Sequence, residues 1–208
     1  MHLEFLVEEA SLESALTQLL PKILPSTVSS KIHAFRGKTD LLAKLPNRLK
    51  GYQAWLPPDW KLVILIDEDR EDCLELKQEL EIMAISSGLI TKSSCQKDKS
   101  FQVLNRIVVE ELEAWFFGDV EAIRQAYPKV SANLATQQKY RSPDAIKGGT
   151  WEALERVLRK AGYHQGGLEK YKASSEISQY MNPALNRSQS FQVFYKGLLQ
   201  SIDSPEAE

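Results

Sequence analysis

The sequence contains few cysteines and almost no excess of charge of either sign. Cys73 and Cys95 are its only two cysteines, and they form no CxxC pair, so neither a zinc site nor a disulfide framework is indicated. The formal net charge is −2, from 26 basic and 28 acidic side chains, which excludes a protein that coats nucleic acid through overall positive charge. A local basic patch is still compatible with that balance.

Long apolar segments are missing as well. No apolar stretch approaches the ~20 residues that span a membrane. The first residues, MHLEFLVEEA, lack the basic start and the apolar run of a signal peptide. We therefore expect a reduced, cytoplasmic protein that does not bind a membrane. Hydrophobic residues make up 43% of the 208-residue chain, enough to bury a core without disulfides.

Strand-like and helix-like patterns alternate over the first 127 residues. Short apolar segments predict strands at residues 3–7, 31–35, 61–66 and 103–109. The third, KLVILI, is continuously apolar and rich in β-branched residues, as is typical of a strand buried on both faces. Helical patterns between the strands favour βαβ units. The sequence therefore predicts an α/β fold with a mainly parallel sheet of about four strands flanked by helices.

The last third of the chain has a helical pattern without strands. We expect an α/β core at residues 1–127, a helical C-terminal extension at 128–202 packed on that core, and a disordered polar tail at 203–208. Thr150, which follows Gly148-Gly149, is expected to cap a helix at residues 151–161.

Acidic residues follow three of the four predicted strands. They are Glu8 and Glu9 after the first strand, Asp67 and Asp69 after KLVILI, and Glu110, Glu111 and Glu113 where the last strand becomes a helix. Ligand sites of open parallel sheets lie beyond the carboxyl ends of the strands, so these side chains are candidates for one common site. Carboxylates suit a hard cation such as Mg²⁺ or Mn²⁺, which can activate water or neutralise a phosphoryl group.

Each acidic cluster also has another interpretation. In an extended strand only one of Glu8 and Glu9 faces a given side, and Asp67 and Asp69 share a side only if the strand continues. Asp69 or Asp72 could instead cap the following helix. The last cluster could be a solvated helix face, on which Glu110 and Glu113 but not Glu111 and Glu113 are neighbours.

The order of these motifs resembles a known family signature. An early strand that ends in Glu, followed by an apolar strand that ends in Asp-x-Asp, is similar to the Toprim signature of topoisomerases, primases and nucleases of the overcoming-lysogenisation-defect type. The segments LVEEASLESAL, LVILIDEDREDC, RIVVEELEAWFFGD and SPDAIKGGTWEALERVL resemble one bacterial group of the Toprim-like fold that is catalogued as a domain of unknown function.

The resemblance implies a Mg²⁺ site formed by Glu8, Asp67 and Asp69, with Glu111 or Glu113 either as a further ligand or as a residue that supports the ligands. It also implies a partner ATPase and a role in bacterial defence against mobile DNA. In one respect the sequence departs from the signature, because Glu9 stands where many Toprim proteins have glycine. This departure leaves open whether Glu8 or Glu9 is the ligand and whether the protein is catalytic.

Two lysines near predicted element ends are candidates for binding a phosphate. Lys38 follows the second strand, and Lys147 precedes a helix whose free N–H groups could bind an anion. Both residues could equally lie in solvated turns. The segment around Lys147 lacks the GxxxxGK[ST] pattern, which excludes a nucleotide P-loop.

The sequence thus favours a Mg²⁺-dependent nuclease or another phosphodiester-processing protein with a nucleic acid substrate. Its proposed catalytic residues are Glu8, Asp67, Asp69, Lys38 and Lys147. One alternative is a non-catalytic Toprim-like module that regulates a partner ATPase, and another is a hydrolase of small phosphate esters. The sequence leaves open the choice between DNA and RNA, the number of metal ions and the formation of a homo-oligomer.

Overall fold

The fold is a parallel sheet covered by helices on both faces, in a computed structural model that describes residues 1–96 and 100–202. The four strands are β1 (His2–Val7), β2 (Ser29–Ala34), β3 (Trp60–Asp67) and β4 (Val103–Val108). All of their pairings are parallel, and the strand order is β2-β1-β3-β4. The predicted α/β class and parallel sheet of about four strands are therefore confirmed.

The position of each strand in the sheet explains its sequence pattern. β3 is central, and every residue from Lys61 to Asp67 is buried. It must be apolar on both faces, which is why KLVILI gave the clearest strand prediction. β2 lies at the edge of the sheet and is largely exposed, so its pattern predicts a strand less clearly, and the strand covers Ser29–Ala34 where residues 31–35 were predicted.

Two groups of helices cover the two faces. The described residues contain α1 (Ala10–Ile23), α2 (Lys38–Trp55), α3 (Cys73–Ser86), α4 (Leu112–Gly118), α5 (Val120–Ala126), α6 (Thr150–Lys160), α7 (Lys170–Ser178) and α8 (Gln189–Ile202). Helices α2 and α3 pack on one hydrophobic cluster, which contains Leu62, Ile64 and Ile66 of β3. The remaining helices pack on the other, which contains Val63 and Leu65 of the same strand.

The C-terminal helices share the larger cluster with the strands. Trp115 of α4 lies in this cluster, and its ring stacks on Phe194 of α8 with 5.1 Å between ring centroids. The indole N–H of Trp115 donates to Ser190 Oγ at 3.0 Å. The tail expected at residues 203–208 lies outside the described residues. Within residues 1–96 and 100–202, no helix combines the length and apolar character needed to cross a membrane.

The start of α6 differs from the expectation by one residue. The residue that precedes the helix is Gly149, not Thr150, and Thr150 lies in the first turn. Gly148 and Gly149 have φ angles of +82° and +84°, a left-handed conformation that glycine adopts at little cost. The two glycines turn the chain sharply, so that the first N–H groups of α6 point at the carboxylate of Glu111, which immediately precedes α4.

Candidate functional site

Glu8 and Asp67 meet at the carboxyl ends of β1 and β3, although 59 residues separate them. The backbone N–H of Asp67 donates to Glu8 Oε2 at 3.0 Å. Both side chains are buried, with 8% of Glu8 and 7% of Asp67 exposed. The parallel pairing of β1 with β3 brings these two strand ends to one edge of the sheet. Around this pair lies the acidic rim, which we define as Glu8, Glu9, Asp67, Asp69, Glu111 and Glu113.

Asp67 lies at the centre of the rim. Burial raises the pKa of its carboxyl group well above the usual value, and the nearby carboxylates of Glu8, Glu113, Glu9 and Asp69 raise it further. Its Oδ1 atom is buried and has no hydrogen-bond partner among the described residues. An acceptor atom in this position is costly unless it binds a proton or a cation.

Glu8 and Glu9 both contribute to the rim. Strand β1 ends at Val7, and Glu9 already occupies the position before α1, where it accepts a hydrogen bond from Ser11 Oγ. Burial raises the pKa of Glu8 most, and the charge of Glu9 raises it further. The alternation of an extended strand does not continue past Val7, so it does not decide between the two residues, and the choice of Glu8 or Glu9 as the ligand stays a prediction.

Asp69 reaches the rim from a left-handed turn and not from a strand. β3 ends at Asp67, so the condition for strand alternation is not met. Asp69 has a φ angle of +56° and Glu110 one of +62°, and the N–H of Asp69 donates to the carbonyl of Glu110 at 2.8 Å. Left-handed backbone is unfavourable for residues other than glycine, and such strain clusters at functional sites. The cap of α3 is Asp72, which accepts from the N–H groups of Leu74 and Glu75.

Lys38 neutralises part of the rim. Its ammonium lies 2.9 Å from Asp69 Oδ2 and 3.1 Å from Glu71 Oε1, and it donates to the carbonyl of Glu68 at 3.0 Å. Gly37, with a φ angle of +96°, donates its N–H to the Glu8 carbonyl and so starts α2 beside the rim. Burial lowers the pKa of Lys38, but its bonds to the two carboxylates outweigh burial and raise the pKa overall.

Glu113 of the rim interacts electrostatically with Lys170 of α7, although the two form no ion pair in the described part of the chain. Only 2% of Glu113 is exposed, and burial raises its pKa to about 7 although Lys170 opposes that shift. Burial lowers the pKa of Lys170, but Glu113, Glu9, Glu111 and Asp67 outweigh burial and raise it. Lys170 was not among the predicted site residues, because it begins α7 in a polar segment far along the chain from every acidic motif. Packing of α7 against α1 brings it to the rim.

Glu111 binds the start of α6. Its Oε2 atom accepts from the N–H groups of Thr150 and Trp151 at 3.0 and 2.9 Å and from Thr150 Oγ1 at 2.8 Å. The anion at this helix start is therefore a carboxylate of the same chain, which the positive end of the helix stabilises. Glu111 holds the C-terminal helices to the rim, and its role as a metal ligand stays a prediction.

Glu110 and Lys147 are the two remaining residues that the sequence singled out. Glu110 precedes α4 in the left-handed turn, so it does not share a helical face with Glu113. Lys147 is exposed, and within residues 1–96 and 100–202 it forms neither a hydrogen bond nor an ion pair with a carboxylate of the rim. Its predicted contact with a phosphate stays a prediction.

The chemistry of the rim fits a hard cation, although its side chains are not arranged around one. In the described part of the chain, no group of three or more His, Cys, Asp or Glu side chains is positioned to hold a metal ion. Glu8 is bound to a backbone amide, Asp69 to Lys38 and Glu111 to α6. The donors are all oxygens, as Mg²⁺ requires, and Asp67 Oδ1 has no described partner. Metal binding would therefore require rotation of these side chains.

Comparisons with known proteins identify a family but no activity. No curated protein and no solved structure matches the chain significantly. The model of the family described as "Domain of unknown function (DUF4276)" matches residues 7–199. That span includes every residue of the acidic rim and both lysines that neutralise it. The chain therefore belongs to the DUF4276 family.

Proposed function

We propose that the acidic rim binds Mg²⁺ or Mn²⁺ and that the protein is a metal-dependent nuclease. The observation that carries this proposal is the environment of Asp67, which is buried among four other carboxylates and has a buried oxygen atom without a described partner. Folded proteins rarely bury such a group, and titratable groups with strongly shifted pKa values concentrate at functional sites. A bound cation would remove the repulsion that the rim otherwise contains.

The residues of the rim, together with Lys38, would have three roles. Asp67, Glu8 and Asp69 would hold the ion, with Glu9 or Glu113 completing the set. When bound, the ion supplies neutralisation of phosphoryl charge and activation of water. Lys38 would move from Asp69 to the phosphate oxygens of a substrate, which an ammonium group binds well. Glu113, with its pKa of about 7, could take up or release a proton at neutral pH.

The order of the motifs supports a more specific assignment to the Toprim-like proteins. A Glu at the end of β1 and an Asp-x-Asp motif at the end of β3 lie at the same edge of the sheet, as the resemblance requires. The resemblance also suggests a partner ATPase in a bacterial defence system. Both assignments are part of this proposal and extend beyond the family membership.

A second candidate function is a non-catalytic module that keeps the fold and regulates a partner. The observation that favours it is internal neutralisation, because Lys38 and Lys170 already balance part of the negative charge of the rim. In such a module the carboxylates and lysines would stabilise the fold without a cation. The two candidates differ in whether the protein binds a divalent ion at all.

A cleavage assay tests the leading candidate. Single- and double-stranded DNA and RNA oligonucleotides are incubated with the protein in Mg²⁺, in Mn²⁺ and in EDTA, beside bis(p-nitrophenyl) phosphate and p-nitrophenyl phosphate as small esters. We expect metal-dependent oligonucleotide cleavage that Asp67→Asn abolishes and that Glu79→Gln, a change at an exposed acid of α3, leaves intact. Cleavage of p-nitrophenyl phosphate alone would instead indicate a phosphate-ester hydrolase. Cleavage that is unchanged in Asp67→Asn would contradict the proposed site.

A further inference from the structure

A basic pocket of about 390 Å³ lies beside α6, separate from the acidic rim. Four cationic residues line it, Lys129, Lys139, Arg156 and Lys160, and among the described residues its lining includes no Asp or Glu. Val130 and Leu134 are among its apolar lining residues. The four cations stand out in a chain whose net charge is −2.

The cations of the basic pocket are free to bind an anion. All four residues are exposed, and within residues 1–96 and 100–202 none of them forms an ion pair. Lys139 lies over the ring of Tyr140 at 4.6 Å, and Lys129 lies over the ring of Tyr163 at 5.9 Å. An aromatic ring attracts an ammonium group through its face, and the N–H groups that point away from the ring remain available to an anion.

Helix α6 joins the basic pocket to the rim. Its first residue, Thr150, binds Glu111, and Arg156 and Lys160 follow six and ten residues later. With a rise of 1.5 Å per residue, they lie roughly 9 and 15 Å along the helix from that contact. They are four residues apart, so they are neighbours on one face of the helix.

These dimensions match a nucleic acid strand better than a small ester. A strand of duplex DNA carries one phosphate for about every 3.4 Å of axis. A strand with one phosphate at the rim would therefore place phosphates in the basic pocket roughly three to four nucleotides away. A small phosphate ester held at the rim would not reach the pocket.

We propose that the basic pocket binds the sugar–phosphate backbone of a nucleic acid strand a few nucleotides from the bond that the rim cleaves. Arg156 and Lys160 contact nearby phosphates from α6, and Lys129 and Lys139 contact the strand from the segment between α5 and α6. The link to cleavage rests on the proposed nuclease function, whereas binding of the strand does not. The substrate is then a polynucleotide, and the C-terminal helices serve to bind it.

Fluorescence anisotropy with a labelled oligonucleotide tests this proposal. Single-stranded DNA and RNA are titrated in EDTA, which prevents cleavage, with Arg156→Glu combined with Lys160→Glu. The matched control is Lys50→Glu, which changes an exposed lysine on α2, across the sheet from α6. We expect the double variant to weaken binding at least about 10-fold and to reduce the slope of log Kd against log salt by roughly 1.4, which is about 0.7 for each lost phosphate contact on a single strand.

Further measurements distinguish three reasons for weak binding or cleavage: the pocket does not bind the strand, the variant is misfolded, or the protein is not a nuclease. Lys139→Glu changes the pocket from a different segment and should also weaken binding, while circular dichroism verifies that each variant is folded. Asp67→Asn should retain oligonucleotide binding in EDTA, since it leaves the pocket intact. Equal binding by wild type, the double variant and Lys139→Glu would overturn the pocket assignment. Failure of the wild type to bind any oligonucleotide would also overturn it, and would favour an acidic polypeptide as the ligand.

If the wild type binds strands through the basic pocket but cleaves none of them, the nuclease function fails while the binding site stands. Loss of cleavage in the double variant should appear mainly as a higher KM for oligonucleotides. Its activity on bis(p-nitrophenyl) phosphate should equal that of the wild type. An equal loss on both substrates would contradict a role in backbone binding.

Discussion

The acidic rim and the basic pocket differ in whether their charged side chains are bonded to other groups of the fold. Rim carboxylates are tied into the fold, with Glu8 on a backbone amide, Asp69 on Lys38 and Glu111 on the start of α6. The cations of the pocket are exposed and have no ion-pair partner in the described part of the chain. The difference teaches that a substitution in the rim changes folding and chemistry together, whereas one in the pocket changes ligand binding with little effect on folding.

The largest effect is expected for Asp67→Asn, in which activity and stability should change in opposite directions. Loss of the central carboxylate should lower metal-dependent cleavage by about 100-fold or more, since even indirect partners of a metal cost 10- to 100-fold. The metal-free protein should become more stable near pH 8, because an amide removes repulsion from the four surrounding carboxylates. Cleavage rates and urea denaturation in EDTA measure both effects. A parallel loss of activity and stability would indicate a structural role instead.

The next largest effect is a loss of stability in Glu111→Ala. The substitution leaves three donors at the start of α6 without their acceptor and should lower the free energy of unfolding by about 2–3 kcal/mol. Glu111→Gln retains an acceptor oxygen and should lose less. Urea denaturation compares both with Lys139→Glu in the pocket, which should stay within about 0.5 kcal/mol of wild type. Equal stability of all three variants would contradict the contrast between the two regions.

The rim also predicts how stability depends on pH. The pKa values of Glu8, Asp67 and Glu113 are raised, so between about pH 4.5 and the raised values the folded state binds more protons than the unfolded state. The free energy of unfolding of the metal-free protein should therefore fall as pH rises from about 5 to about 8. Glu81, whose pKa is lowered, has the opposite effect only as the solution becomes more acidic.

Thermal denaturation in EDTA and in millimolar Mg²⁺ measures this dependence. Mg²⁺ should raise the Tm more near pH 8 than near pH 5, because the cation replaces protons that the rim has lost. Glu113→Gln should flatten the decline near neutral pH, where Glu113 titrates with its pKa of about 7. A Tm in EDTA that rises steadily across this range would be inconsistent with protonated carboxylates in the rim.

The smallest effect is expected for Lys38→Met, which tests whether Lys38 competes with the metal ion for Asp69. Lys38→Met removes the ammonium group that occupies Asp69, so divalent ions should bind a few-fold more tightly while cleavage weakens. Asp69 is 46% exposed, so solvent screens the ion pair, and the loss of stability should be about 1 kcal/mol. Calorimetric titration with Mn²⁺ gives the affinity. Weaker binding in Lys38→Met would show that the lysine supports the site instead of competing for it.

The sequence predicted the parts of the molecule that depend on local pattern and on parallel topology. KLVILI is buried on both faces and so carries its own signal. The meeting of Glu8 and Asp67 follows from two parallel strands that end at one edge. Lys170 could not be predicted from the sequence, because only packing of α7 on α1 places it near Glu113.

The turns at the strand ends limited the prediction of the site itself. Asp69 departs from the strand in a left-handed conformation, which rules out a face assignment by alternation. The bond from Glu111 to α6 depends on the turn at Gly148 and Gly149 and on the docking of a helix 39 residues away. Neither feature has a period or a motif that a single sequence displays.

Titration of the protein with Mn²⁺ near pH 7.5, with free Mn²⁺ followed by electron paramagnetic resonance, tests the central claim most directly. The account predicts that the wild type binds Mn²⁺ with a dissociation constant of ~1 mM or tighter, that Asp67→Asn loses this binding and that Glu79→Gln keeps it. Absence of binding by the wild type at several times that concentration, or equal binding by Asp67→Asn, would contradict a metal centre at the acidic rim.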